Sequence, residues 1–382
     1  MGKLKLPKKL EQFLKREHID FILILLISIV ALTWFKGYHH ILGAAFGWRV
    51  DFFEYWQSAS NTWLEASFGF GGSGVRQIPF LFPFVALGAL FQAIFHTSIV
   101  YEMVYFYFFF ALSGISMYLL LKKLNISRVP RLIGAIFFMV NPFAIISMWS
   151  LQQGMIFQFY ASLPLAIYLL IRSLDEDRFF LKANLILLLV GINASYTNPA
   201  FFFMFGVFCF AYATFKIGKA VFSNKKDLKP IIKRVLYFGG TYLLLNLFWL
   251  IPFLFDMTTE YAQADHTAYG LQNDLDTLKL NSTNFFNIFR LLGYWALTGE
   301  ARPDEYYFPW FVDLYTNPVM IVLTFVLPIV AVLGIIFYKK FKIKKIPIVF
   351  PNCISVVFRI FLSPINFKTK TIPSANKAMY KR

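Results

Sequence analysis

Charge is what this chain has little of: only 15% of its 382 residues are Asp, Glu, Lys or Arg, and the mean hydropathy is +0.59. So little polar surface cannot cover a soluble protein of this size. Disorder is excluded as well, because disordered chains are polar and poor in aromatics. Cysteine is nearly absent, with Cys209 inside an apolar run and Cys353 in the polar tail. Neither a disulfide framework nor a cysteine-based metal site is therefore available, and the redox compartment stays open. Histidine is rare too: His39 and His40 adjoin each other, but no H-x-x-x-H or H-E-x-x-H spacing occurs. No dedicated metal site is expected without such spacing. Acids number 20 against 37 Lys and Arg. The surplus cations stand in short clusters between apolar runs, a placement that argues against a nucleic-acid partner.

What fills the chain is apolar: 58% of it is hydrophobic, 20% aromatic, and 48 residues are Phe. Repeated long apolar runs require a backbone that satisfies its own hydrogen bonds in lipid, which predicts an all-α polytopic integral membrane protein. The runs lie at 21–35, 98–121, 131–149, 156–171, 181–195, 199–217, 235–255 and 317–338, about eight transmembrane helices. Before the first run stand Lys3, Lys5, Lys8, Lys9, Lys15 and Arg16. No small-residue cleavage site follows, so the run reads as an uncleaved span whose basic flank, residues 1–17, is cytoplasmic.

One further run, 78–95, decides the topology. As a span it would turn Lys122, Lys123, Arg128 and Arg131 outward and invert every later loop. As a helix lying at the outer interface, with Pro79 and Pro83 at its start, it leaves only Lys36, Arg49, Arg76, Lys279, Arg290 and Arg302 outside. The positive-inside rule favours the second arrangement. The membrane domain then covers 18–345, with two long outer loops at 36–97 and 256–316 and short basic inner loops. The second outer loop is acidic, with Asp256, Glu260, Asp265, Asp274, Asp276, Glu300, Asp304, Glu305 and Asp313. Residues 346–382 hold four prolines and no Asp or Glu. They read as a basic tail, consistent with an aberrant ending of a longer protein.

In the first outer loop, Phe52, Tyr55, Trp56, Ala59, Trp63 and Ala66 recur at three- and four-residue steps, predicting an amphipathic interfacial helix with an aromatic stripe. Asp51 and Glu54 share one face at its head. A carboxylate there, given a raised pKa, suits a general base that takes a proton from an attacking hydroxyl. The same pair also fits a capping box, Asp51 as N-cap and Glu54 at N3. Gly69-Phe70-Gly71-Gly72-Ser73-Gly74 matches G-x-G-x-x-G but lacks the strand-to-helix context of a dinucleotide site, so it reads as a flexible loop. Glu102, near the outer start of its span, is the one clear intramembrane carboxylate. Asn141-Pro142, Asn198-Pro199 and Asn317-Pro318 punctuate outer span ends.

Four stretches carry a resemblance. They are Trp63-Leu64-Glu65-Ala66-Ser67-Phe68-Gly69 with Phe82-Pro83, Arg131-Leu132-Ile133-Gly134 through Asn141-Pro142-Phe143, Asn246-Leu247-Phe248-Trp249-Leu250-Ile251-Pro252, and Arg290-Leu291-Leu292-Gly293-Tyr294-Trp295. Over roughly 20–338 this order of features resembles the GT-C glycosyltransferases, and within them the N-terminal membrane domain of the α-(1→3)-arabinofuranosyltransferase-like family. The resemblance implies a plasma-membrane enzyme that moves a sugar from a polyprenyl-phosphate donor to a glycan hydroxyl on the outer face. It implies Asp51 as general base with Glu54 in reserve, Arg76 and Arg290 as phosphate ligands, and Trp63 and Trp295 as sugar-stacking aromatics. No organic cofactor is implied. A divalent cation shared by outer carboxylates and the donor phosphate stays open, since such ions need few protein ligands.

Two rival classes stand beside this reading. A transporter or lipid-flippase component places broken helices and polar groups near the midplane and often repeats itself. Here Pro164 and Asn246 are the comparable interior signals, and no repeat is evident. An inactive, truncated membrane scaffold is the other.

Overall fold

The computed structural model describes residues 17–35, 51–59, 63–64, 72–73, 85–145, 156–176, 199–223, 228–263, 283–292, 300–302, 305–306 and 312–337. These are helical apart from two short antiparallel ladders, as the composition predicts. In order they form α1 (His18–Ser28), which runs on as a 3-10 helix (Ile29–Trp34), α2 (Phe52–Ala59), β1 (Trp63–Leu64), β2 (Gly72–Ser73), α3 (Ala86–Phe95), α4 (Ile99–Lys123) and α5 (Arg128–Val140). Then follow α6 (Ile156–Asp175), α7 (Pro199–Ser223), α8 (Leu228–Gln263), α9 (Phe285–Phe289), β3 (Glu300–Arg302), β4 (Glu305–Tyr306), α10 (Asp313–Thr316) and α11 (Pro318–Phe337). The chain divides into two units, 1–329 and 330–382, and of the second only the end of α11 is among the described residues.

Among the described residues, two helices are long and apolar enough to cross a membrane: α4, and α7 over Phe202–Phe222. The expected run at 181–195 lies outside the described residues. Others differ from expectation in ways their residues explain. The run 131–149 is not one continuous helix. Asn141 is extended, as a residue before proline must be, so α5 stops at Val140, and Asn141 Oδ1 then accepts the Ala144 amide at 3.0 Å to start the next turn. Conversely, α8 continues to Gln263, so the expected outer loop 256–316 begins inside a helix. The α2 helix ends at Ala59, and Trp63, expected on its stripe, pairs instead with Ser73 in the first ladder. Gly72 and Ser73, expected in a loop, are the other strand of that pair.

The α4 helix is the hub of one core, with α1, α3, α5 and α6 packed around it. Its Gly114 is where three helices meet. A Cβ there would lie 2.5 Å from Met139 Sδ and 2.8 Å from Ile24 Cγ2, so only glycine permits the approach of α1 and α5. Ser116 Oγ donates to the Ala161 carbonyl at 2.7 Å, joining α4 to α6 inside the core. Where α5 ends, Tyr160 of α6 stacks on Phe138 with centroids 4.3 Å apart, donates to the Phe138 carbonyl and receives Asn141 Nδ2 at 2.8 Å. A second cluster joins α6, α7 and α8 through Phe159, Leu170, Phe202, Phe205, Phe238 and Tyr242. The stacking of Phe202 on Tyr242, 4.7 Å between centroids, holds α7 to α8.

Of the 78–95 run, residues 85–95 are described, and they hold the helix α3. The ten residues of α3 rise about 15 Å, half of a hydrocarbon core, and the helix ends with His96 in the left-handed region at φ 55°.

Candidate functional site at the start of the α4 helix

Among the described residues, charged groups stand at both ends of α4, and the two gatherings are built differently. At its end, Asp20 of α1 is buried beneath Arg128, which donates to it through Nε and Nη2, both at 2.8 Å. Tyr118 of α4 donates its hydroxyl to the same carboxylate at 2.6 Å. Arg131, also buried, spans Glu17 at 3.1 Å, the Tyr118 hydroxyl at 3.3 Å and the Ile126 carbonyl at 3.0 Å. Lys122 closes the ring by pairing with Glu17. Its neighbour Lys123 reaches Asp175 at 3.5 Å and Glu176 at 3.3 Å, Lys216 of α7 pairs with Asp175, and Arg234 of α8 donates to the Leu174 carbonyl at 2.8 Å. Each named charge here meets a partner. Lys122 foremost, with Arg131, holds the Glu17 carboxyl below its usual value, and Arg172 and Lys123 do the same for Glu176.

This clamp did not stand out in the sequence, where Arg128 and Arg131 read only as topogenic charges and Asp20 was not singled out. The available signal was an acid inside the first turn of an otherwise apolar helix, a position that demands a counter-charge.

The start of α4 is different. Asp51 caps α2: its Oδ1 accepts the Phe53 amide at 2.8 Å and the Glu54 amide at 3.1 Å. Gln92 of α3 fixes the cap from the other side, its Oε1 accepting the Phe52 amide at 2.7 Å and its Nε2 donating to Asp51 Oδ1 at 3.3 Å. Phe52 is fully buried, its ring edge-on to Tyr101 of α4 at 5.3 Å and lying where a Cβ on Gly88 would come within 2.3 Å. One exposed carboxylate is thus held against α3 and α4 by a buried anchor. All three hydrogen bonds converge on Oδ1, and among the described residues Oδ2 receives none.

The Glu54 amide first, then the Phe53 amide and Gln92, hold Asp51 below the ordinary carboxylate value. The raised pKa expected of a general base is therefore absent, because hydrogen bonds to an exposed carboxylate favour its charged form. Glu54 is exposed at the third helical position, as a capping box places it. Gln92, the only polar side chain of α3, is the positioning residue that sequence reasoning missed, and that isolation was the signal. Glu102, one turn into α4, is fully buried at this same end.

The other expected site residues do not all join this group. Arg290 is 5% exposed, donating from Nε to Thr324 Oγ1 at 2.8 Å, from Nη1 to Asn287 Oδ1 at 3.0 Å and from Nη2 to the Leu314 carbonyl. Tyr315 and Phe325 flank its plane, and burial pulls its pKa below the usual guanidinium value. The Arg290 guanidinium, expected to meet a phosphate, ties α9 to α10 and α11 and is withdrawn from solvent. Trp63 lies in the short ladder, and Arg76 and Trp295 lie outside the described residues. Asn246, a transporter-like signal, donates to the Tyr242 carbonyl of its own helix at 2.8 Å. Among the described residues no three His, Cys, Asp or Glu gather closely enough to hold a metal ion.

The chain matches no family model, no curated protein and no solved structure.

Proposed function

We propose that this chain is a multi-pass membrane glycosyltransferase of the GT-C kind, with about eight spans, a cytoplasmic N-terminus and its acidic site outside the plasma membrane. The observation that carries the reading is the separation of unlike ends along α4. From Tyr101, beside the Asp51 cap, to Lys122 in the basic clamp, the helix rises about 30 Å, the thickness of a hydrocarbon core. Cations collect at one end and an exposed, oriented carboxylate at the other, the distribution that the positive-inside rule assigns to cytoplasm and exterior. Pairing across the clamp supports the alternation of helices. The α6 helix ends at Asp175 beside Lys216, which lies late in α7, so Glu176 and Pro199 sit at opposite ends of the bundle, as a span at 181–195 requires.

The chemistry follows from the cap. An acceptor hydroxyl attacks the anomeric carbon of a polyprenyl-phosphate sugar, and the bond from that carbon to the phosphate oxygen breaks with its electron pair going to the phosphate. Asp51 Oδ2 takes the hydroxyl proton. A lowered pKa keeps Asp51 ionised at neutral pH, ready to accept. It also makes Asp51 a weaker base, tolerable when the leaving phosphate already stabilises charge. Glu54 is the reserve acid one turn along, and Trp63, Trp295 and Arg76 are proposed to contact sugar and phosphate. The test is transfer from a polyprenyl-phosphate sugar by membranes carrying Asp51→Asn. Asparagine caps a helix as well as aspartate does, so folding is spared while the proton acceptor is removed. Full activity in that variant would leave Asp51 with the capping role alone.

A further inference from the structure

We propose that the cleft between α6, α7 and α8 holds one acyl chain of an anionic phospholipid, with its headgroup drawn to Lys216 and Arg234. The cleft encloses about 510 Å³ and is walled by apolar side chains, Leu170, Phe202, Phe210, Phe238 and Leu243 among them, with Cys209 and Tyr242 the few polar exceptions. That volume falls within the range of small-molecule pockets, roughly 300–1,000 Å³. Two glycines keep it open. At Gly88 and Gly114 an added Cβ would collide with a neighbour, whereas at Gly206 and Gly239, both lining the cleft, it meets nothing within 4 Å. The first pair lets helices touch, and the second leaves a floor that no described residue covers.

Shape and charge select the occupant. Between Val235 and Leu250 the lining follows α8 for about 22 Å, and the cleft averages roughly 8 Å from wall to wall, against 10–12 Å for a helix with side chains. An extended hydrocarbon chain fits this bore and a helix does not. One end of the cleft is charged: Leu174 lines it, Arg234 donates to the Leu174 carbonyl at 2.8 Å, and Lys216 stands over Asp175 next along the chain. Lys229 is exposed at the start of α8 nearby. Among the described residues there, Lys123, Arg172, Lys216, Lys229 and Arg234 outnumber Asp175 and Glu176, which favours a phosphate headgroup of net negative charge at the cytoplasmic surface. The proposal rests on α7 and α8 lying in a bilayer and is independent of the sugar chemistry.

The test uses the full chain in phosphatidylcholine vesicles containing a minor share of phosphatidylglycerol with a photoactivatable diazirine in its acyl chain. Resistance to alkaline carbonate extraction is scored separately, and an extractable chain would remove the bilayer reading and this proposal with it. The expected label lies in peptides spanning 202–213 and 235–250, and unlabelled phosphatidylglycerol competes for it at least about fivefold better than phosphatidylcholine. Gly206→Leu with Gly239→Leu abolishes most of it, and Lys216→Gln or Arg234→Gln each lowers the preference for phosphatidylglycerol about fivefold. Competition on the unmodified chain needs no variant to fold. Equal competition by both lipids would mean bulk bilayer contact and overturn the proposal. So would a cross-link from Leu188→Cys to Cys209 that blocks labelling, because the 181–195 segment would then fill the cleft.

Discussion

The two ends of α4 use the same side-chain chemistry to opposite effect. At the basic end, Glu17 and Asp20 are consumed by Arg128, Arg131, Lys122 and Tyr118, and the charges exist to lock α1, α4 and α5 together. At the other end, Asp51 is fastened through a single oxygen and presents the second to solvent. A carboxylate becomes available for chemistry when its orientation comes from neutral donors, here two amides and Gln92, rather than from a counter-ion that also neutralises it. Arg290 offers the converse: its donors are taken by Thr324, Asn287 and the Leu314 carbonyl, and two aromatic faces flank it.

Substitutions can break or sharpen this contrast. Under the proposed sugar transfer the largest expected effect is on catalysis: Asp51→Asn lowers transfer by about 10²- to 10⁴-fold, the usual worth of a general base, while thermal stability in detergent stays near that of the parent. Asp20→Ala should do the reverse, leaving Arg128 and the Tyr118 hydroxyl without their buried acceptor and costing about 3–5 kcal/mol in stability, read from a denaturation midpoint, with the rate per folded molecule kept. Loss of transfer without loss of stability in that variant would show the basic end to be more than a clamp.

Acid should loosen the basic end. Glu17 and Glu176 both titrate below their ordinary value of 4.5 in the folded chain, so their contribution is complete above that pH and is lost as pH falls through the lowered folded values. A thermal melt series from neutrality to pH 3 checks it, and a midpoint that rises in acid would contradict the sign. The smallest change, Gln92→Glu, places a second negative charge beside Asp51 Oδ1. It should raise the Asp51 pKa and move the acid limb of the transfer profile to higher pH. An unmoved limb would mean that Gln92 does not govern that carboxylate.

Much of the helical organisation was legible, because apolar runs of sufficient length allow little else: α4, α6, α7 and α11 begin within a residue of the runs that predicted them. The N-cap role of Asp51 was legible too, since an acid before an amphipathic run has a local partner in the backbone itself. What escaped were features whose partners are distant in sequence. Gln92 meets Asp51 across 41 residues, Arg128 meets Asp20 across 108, and neither pairing leaves a periodic trace.

Composition and hydrophobic period alone determined that this chain builds apolar helices, because burying or lipidating so many aliphatic and aromatic side chains leaves no other backbone solution. They also determined where cations cluster. Which charges neutralise one another, which carboxylate keeps an oxygen for solvent, and where two glycines leave a cleft open were decided only by tertiary packing. Those outcomes depend on the ångström-scale approach of groups from different helices, and a linear pattern of residue types does not encode such distances.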